Sequence, residues 1–185
     1  MKRPSLVVVD DFLPNPDEVR ATALEAPYRT SDYHKGHRSI ERYLDLVDKS
    51  EFERLLGITI PDWAKHGMNA RLQFCTSEDP LVYHSDGQKW AGALYLTPDA
   101  PPETGLSFFR SRITNLRRPP PDAETENLMY SGNLYDRTKW EEIDRIGNVY
   151  NRLVLWEGCL VHSASCYFGN TVDNSRLFMV FFFDE

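Results

Sequence analysis

The hydrophobic pattern changes character at Asn69. Before it, short apolar stretches alternate with polar ones. Ser5–Val9 reads as a buried strand, and Phe12-Leu13-Pro14 turns the chain. Asn15 then stands where a helix cap belongs, with Pro16 at the first helical position and Asp17 and Glu18 in the first turn. That helix should stop at Leu24 or Glu25, ahead of Pro27. Tyr28–Arg42 is polar and reads as a loop, and a second short helix is expected over Asp48–Leu56, closed by Gly57. After Asn69, strand patterns come in quick succession: Ala70–Cys75, Leu81–Asp86, Trp90–Leu96, Leu106–Arg110, Val149–Trp156, Cys159–His162 and Arg176–Phe183. Turn residues separate them, which suggests a sandwich or barrel. The long stretch Ser111–Gly147 interrupts the run; within it Thr138-Lys139-Trp140-Glu141 has the form of a capping box opening a short helix to Ile146, with Trp140 and Ile143 packing that helix on the sandwich. Helical pieces followed by strands make an α+β chain whose helices cover a β-sandwich.

Composition narrows the function. At 185 residues, 41% hydrophobic, the chain is the size of one domain with a core of its own. A net charge of −7 argues against a general binder of nucleic acid or of anionic membranes. Cys75, Cys159 and Cys166 are odd in number and lack CxxC spacing, as expected of reduced thiols in a cytoplasmic protein. No apolar run approaches a membrane span, and Leu6–Val9 is too short for the core of a signal peptide. Dinucleotide and serine-hydrolase signatures are absent; Gly87 and Gly92 have the glycine spacing of a phosphate loop, but Ala93 and Leu94 follow where Lys and Ser or Thr are needed.

One group of residues carries chemistry. In His84-Ser85-Asp86 the imidazole and the carboxylate are two residues apart, so on a strand they share a face and can ligate one ion. His162, at the end of an apolar strand pair, is the natural third ligand. Two histidines and one carboxylate form the facial triad that leaves open positions at Fe(II). A surface strand end and an ordinary core histidine are the plainer readings of the same residues. Arg176 weighs against them: fourteen residues after His162, at the head of a strand apolar at every position, it needs an anion or a place at the rim. A guanidinium fork suits a carboxylate ligand.

In this order the residues resemble the 2-oxoglutarate/Fe(II)-dependent dioxygenase superfamily, in its prolyl-hydroxylase-like branch. The resemblance covers about residues 69–183. Ala93-Leu94-Tyr95-Leu96, Gly105-Leu106-Ser107-Phe108 and Asn151–Trp156 are similar in wording to that branch, and Val9-Asp10-Asp11-Phe12-Leu13 is similar to bacterial oxygenase-like proteins. It implies a double-stranded β-helix, a jelly-roll or cupin-like sandwich with flanking helices, forming a single oxygenase domain over 1–185. Residues 1–68 would support a core at 69–183 that carries an insert at 111–147. It implies Fe(II) held by His84, Asp86 and His162, 2-oxoglutarate as cosubstrate with its distal carboxylate on Arg176, O2, and a small-molecule or peptidyl substrate to be hydroxylated. No nucleic-acid or membrane partner is implied, and the oligomeric state is left open.

The chain departs from the branch at Cys75, nine residues before His84, where related hydroxylases often place a cosubstrate-binding Tyr. Tyr95 or Tyr83 could supply the hydroxyl, and Gln73 another polar contact. His34 and His37 could form a second metal site or lie in a solvated loop. Arg110, Arg112, Arg117 and Arg118 could steer an acidic substrate or be merely solvated. The alternatives are a cupin-like metal enzyme that does not use 2-oxoglutarate and a non-catalytic binding module on the same fold.

Overall fold

Parity along the last strand organises the molecule. The computed structural model describes residues 3–31, 34–130 and 134–185. The chain begins with β1 (Leu6–Val9), α1 (Pro16–Glu25), β2 (Tyr28–Ser31), β3 (His34–Ser39) and α2 (Lys49–Leu56). β4 (Arg71–Cys75), β5 (Trp90–Tyr95), β6 (Leu106–Ser111) and α3 (Ala123–Met129) follow. The last elements are β7 (Trp140–Ile146), β8 (Leu153–Glu157), β9 (His162–Ala164) and β10 (Arg176–Phe183). Leu177, Met179, Phe181 and Phe183 of β10 pack into one cluster with Val19 of α1 and Phe52 of α2. Phe178 and Val180 point the other way, into a second cluster with Leu106 and Phe108 of β6. An apolar strand without alternation is thus buried on both faces, and its even-numbered residues, Arg176 included, face the inside of the sandwich.

Seven strands form the large antiparallel sheet in the order β1-β8-β5-β10-β4-β3-β2, and β7-β6-β9 form the small one. Helices α1 and α2 cover the outer face of the large sheet, while α3 contributes Met129 to a third cluster with Phe109, Trp140 and Val161. The result is the expected α+β jelly-roll sandwich with flanking helices. No described helix is long and apolar enough to cross a membrane.

Local signals place both N-terminal helices. Pro16 opens α1 after Asn15, although the Asn15 side chain makes no capping hydrogen bond. Asp48 caps α2 by accepting from the Ser50 amide at 2.8 Å, and Gly57 closes it at φ 64°, a left-handed position that suits glycine.

Elsewhere tertiary pairing overrides the local pattern. Tyr28–Arg42 contains the hairpin β2–β3 rather than a loop, because β3 completes the free edge of β4, Arg38 opposite Gln73. Edge strands with one face toward water tolerate polar sequence. The expected helix from Thr138 to Ile146 is instead β7, paired along the whole of β6. Its charges match across the ladder, as where Arg110 Nε meets Glu141 Oε2 at 2.6 Å. Asp136, not Thr138, caps the short 3-10 turn before it, and Trp140 and Ile143 pack from opposite faces of the strand into different clusters. The helix of this stretch is α3, capped by Asp122.

Two strands begin elsewhere than expected, and a third expected strand does not form. β8 starts at Leu153, since Asn151 makes a turn at φ 61° and its amide side chain bridges both backbone groups of Leu13 at 2.9 Å. β9 begins where Cys159–His162 was expected to end. Leu81–Asp86 forms no strand; it is extended chain with a single bridge, His84 to His162.

The C-terminus is clasped by Asp184. It accepts from Lys65 Nζ at 2.5 Å, His66 Nε2 at 2.9 Å and the Lys89 amide at 3.0 Å. The Lys65 hydrogen bond above all, then the Lys89 amide, holds its carboxyl well below the usual carboxylate range. A carboxylate with a depressed folded pKa stabilises above its unfolded value, about 4, and loses that contribution as pH falls further. Asp184→Asn is therefore expected to cost about 1 kcal/mol at pH 7, discounted for the exposed lysine, and clearly less at about pH 2, as the pH nears the depressed folded value. Urea midpoints of parent and variant at the two pH values check this; an equal gap at both would refute it.

Candidate metal centre

The bridge between the two histidine segments builds the site. His84 N donates to His162 O at 3.1 Å and His162 N to His84 O at 2.8 Å, so the two ligand candidates face each other across an antiparallel pair. The Asp86 amide donates to Gly158 O at 2.7 Å. That keeps His84 and Asp86 on an extended segment, so the alternation argument survives the loss of the strand. Each ring is held the same way: His84 Nδ1 lies 3.1 Å from Val82 O, and His162 Nδ1 lies 2.9 Å from Leu160 O. With each Nδ1 turned to a carbonyl, both Nε2 atoms point toward Asp86, the arrangement in which the Nε2 positions are free to ligate an ion. His84 Nε2 is 3.7 Å from Asp86 Oδ1, and His162 Nε2 is 3.4 Å from Asp86 Oδ2.

These donors fit a metal ion. Ligand atoms of His84, Asp86 and His162 all lie within 4.8 Å of one another. Three donors about 2.1 Å from one ion at right angles would stand about 3 Å apart, near the separations seen. Asp86 Oδ2 is buried with no hydrogen-bond partner, which a cation would relieve. Burial, then the neighbouring His84, brings the pKa of His162 down to about 4, so it is a neutral imidazole at ordinary pH, the form that ligates. His162 is buried against Trp156 at 4.9 Å between ring centroids, whereas the His84 side chain is 42% exposed and forms the open side.

Arg176 shares this space. A cavity of about 110 Å³ is lined by His84, Asp86, His162 and Arg176 together with Gln73 and Tyr167. Arg176 is buried; its Nε donates to Thr104 O at 3.0 Å and its Nη2 to Gly105 O at 3.3 Å. Sequence alone left its charge to cavity or solvent, and the structure adds these two carbonyls. Among the described residues no carboxylate pairs with it. Aromatic rings enclose the guanidinium, Phe178 at 4.2 Å, Tyr95 at 5.2 Å and Tyr167 at 5.9 Å from Cζ to ring centroid.

The other candidates separate. Gln73 is buried and on the cavity wall; it accepts from Arg38 Nε at 2.7 Å and donates to Lys35 O at 2.8 Å. Tyr95 is buried beside Arg176 and does not line the cavity. Tyr83 packs on Phe109 and Trp140 in the core. Cys75 is buried directly opposite Arg176 in the ladder. Sequence reading missed Tyr167, which lines the cavity and lies five residues beyond His162, and Arg38, hidden in a stretch read as loop. The basic cluster is outside the cavity: Arg110 pairs with Glu141, and Arg118 with Glu157. His37 stacks on Phe74 at 4.5 Å, and the side chain of His34 lies outside the described residues.

A wider cavity of about 460 Å³ opens over His84 and Asp86. Lys35 and Arg38 line it from one side and Leu134 and Tyr135 from the other, so both long irregular stretches of the sequence contribute to its wall.

Solved structures carry the same architecture. HygX from Streptomyces hygroscopicus, with nickel, 2-oxoglutarate and hygromycin B bound, is similar over 95% of this chain and 81% of its own, at 10% identity and a TM-score of 0.58. A prolyl-4-hydroxylase from Pseudomonas putida is similar over 98% of this chain and 93% of its own, at 15% identity and a TM-score of 0.52. The chain shares their fold. So does SnoN, the non-heme alpha-ketoglutarate-dependent epimerase of nogalamycin biosynthesis, at 16% identity over 96% and 77% of the two chains and a TM-score of 0.50. At such identities the likeness is one of architecture. No family model matches the chain, and no curated protein sequence matches it significantly.

Gly158 links the fold to the site. A Cβ there would stand 2.2 Å from Gln88 O and 3.3 Å from the Asp86 Cβ, so the 86–88 segment would have to move. Gly158→Ala is expected to cost roughly 1–3 kcal/mol of stability and to weaken divalent-ion binding as well. Thermal unfolding with and without Co(II) checks both; a variant with the parent's ion-induced shift in Tm would refute the second.

Proposed function

We propose that the chain is an Fe(II)- and 2-oxoglutarate-dependent dioxygenase that hydroxylates a small molecule or a peptidyl side chain. The observation that carries this reading is the convergence of two imidazole donors and a carboxylate with one orphaned buried oxygen in a cavity that also holds a buried arginine with no carboxylate partner among the described residues. The shared architecture with proteins that bind 2-oxoglutarate supports it.

Bound iron, with 2-oxoglutarate and O2, would supply the oxidising chemistry, leaving succinate and CO2 as co-products. The protein's own residues do the rest. His84, Asp86 and His162 hold the ion from one side, and the Leu160 and Val82 carbonyls fix both rings. Arg176 grips the distal carboxylate of the cosubstrate, with Gln73 and Tyr167 lining the same space. Apolar walls from Trp156, Phe178 and Val180 exclude water. The position of Arg176 inside the cavity favours this over a metal enzyme that does without 2-oxoglutarate.

The test is anaerobic titration of the metal-free protein with Fe(II) and then 2-oxoglutarate, followed by a screen of metabolites and peptides for succinate release in air. Binding of both, with substrate-dependent succinate, is expected. A protein that binds iron but not 2-oxoglutarate would point to the cupin-like alternative.

A further inference from the structure

Arg38 is a second cation with no carboxylate partner among the described residues, placed where a substrate would enter. It projects from β3 into the walls of both cavities. Its Nε donates to Gln73 Oε1 at 2.7 Å and its Nη1 meets Met68 Sδ at 3.2 Å, so Nη2 is left without a partner among the described residues. No acidic side chain forms an ion pair with it among those residues. Burial lowers its pKa to about 10, still fully charged at neutral pH. Lys35 lines the wider cavity beside it, its ammonium 5.1 Å from the Tyr135 ring centroid. A long cationic side chain pinned at its Nε by a buried glutamine, with the outer edge of its fork free, is arranged to receive an anion.

Charge balance says which anion. On the function proposed above, a divalent ion, Asp86, the dicarboxylate cosubstrate and Arg176 cancel one another. Arg38 and Lys35 remain, facing the wider cavity, whose other walls include Met68, Val82, Leu134, Tyr135 and Phe182. We infer that Arg38 is a specificity-determining residue that recognises a carboxylate on the substrate, and that the substrate is a small anion with an apolar body. Gripped there, the acid group would fix the neighbouring carbon chain beside the metal centre. This inference rests on the proposed function, deepens it by naming the substrate class, and can fail separately from it.

The test uses benzoate, phenylacetate and hexanoate, each paired with its primary amide. They are titrated calorimetrically into the anaerobic protein loaded with Fe(II) and 2-oxoglutarate. The acids are expected to bind at least about tenfold more tightly than the amides, the size of one charge-assisted contact. Arg38→Gln should remove that preference while leaving 2-oxoglutarate affinity within about twofold, and Arg38→Lys should restore part of it, because it keeps the charge and loses the fork. Equal binding of acids and amides, absent binding of both included, overturns the inference. So does a preference that survives in Arg38→Gln, or a loss of 2-oxoglutarate affinity in its place, which would assign Arg38 to the cosubstrate. If the parent fails to take up Fe(II) and 2-oxoglutarate at all, it is the proposed function that falls.

Discussion

Asp86→Asn is expected to abolish Fe(II) retention, with affinity falling on the order of a hundredfold or more, beyond what loss of a mere supporting contact to a metal ligand costs. The carboxylate is the only anionic donor of the three. Its two oxygens face the two Nε2 atoms at 3.7 and 3.4 Å, and Oδ2 is buried without a hydrogen bond. Asparagine keeps the shape and removes the negative charge, which the two imidazole ligands do not supply. The same reasoning predicts loss in His84→Ala and His162→Ala. The metal-free Asp86→Asn protein should unfold no earlier than the metal-free parent, since a carboxylate with one buried oxygen lacking a hydrogen bond gives the metal-free fold little. Fe(II) or Co(II) titration beside melting curves of the metal-free proteins separates the two effects. Retained iron in Asp86→Asn, or in both histidine variants, would remove the triad.

The second large effect concerns Arg176. Arg176→Leu should leave Fe(II) binding near the parent's level and raise the Kd for 2-oxoglutarate by roughly 30- to 5,000-fold, the range for losing one partner of a buried charge pair, about 2–5 kcal/mol. The structure adds a cost that sequence could not show. Arg176 also satisfies the carbonyls of Thr104 and Gly105, at the start of β6, so its removal strands two acceptors at about 1–3 kcal/mol of stability. Lysine keeps the charge but cannot reach both carbonyls and a carboxylate at once, so Arg176→Lys should recover only part of the affinity. Calorimetric titration of 2-oxoglutarate into the Fe(II) proteins, with folding followed by circular dichroism, reads both quantities. Unchanged cosubstrate binding in a folded Arg176→Leu protein would separate this arginine from the cosubstrate and favour a metal enzyme of another kind.

Where the sequence was misleading, the error has one physical source. Trp140–Ile146 carries a helix-start pattern, yet β6 has two edges that must be hydrogen-bonded, and the second is filled by this segment. His34–Ser39 has no apolar face, yet it completes the edge of β4 and delivers Arg38 to the cavity. Leu81–Asp86 has strand composition but only one bridging partner among the described residues, so it is held by backbone hydrogen bonds at Tyr83, His84 and Asp86 rather than by a continuous ladder. In each case the deciding partner is dozens of residues away, beyond the reach of any local window.

By itself the sequence determined the two N-terminal helices, the strands at Arg71–Cys75, Trp90–Tyr95, Leu106–Ser111 and Arg176–Phe183, and the identity of the chemical groups: two histidines, one carboxylate and one arginine. Those features are set by short-range physics, namely caps, prolines, glycines and the two-residue period of a strand. Only the tertiary structure decided that His162 lies across from His84, that Tyr167 and not Tyr95 lines the cavity with Arg176, and that Arg38 joins them. Convergence of side chains from separate strands depends on sheet order and register, which are fixed by burying both faces of β10 at once and by pairing every sheet edge within reach.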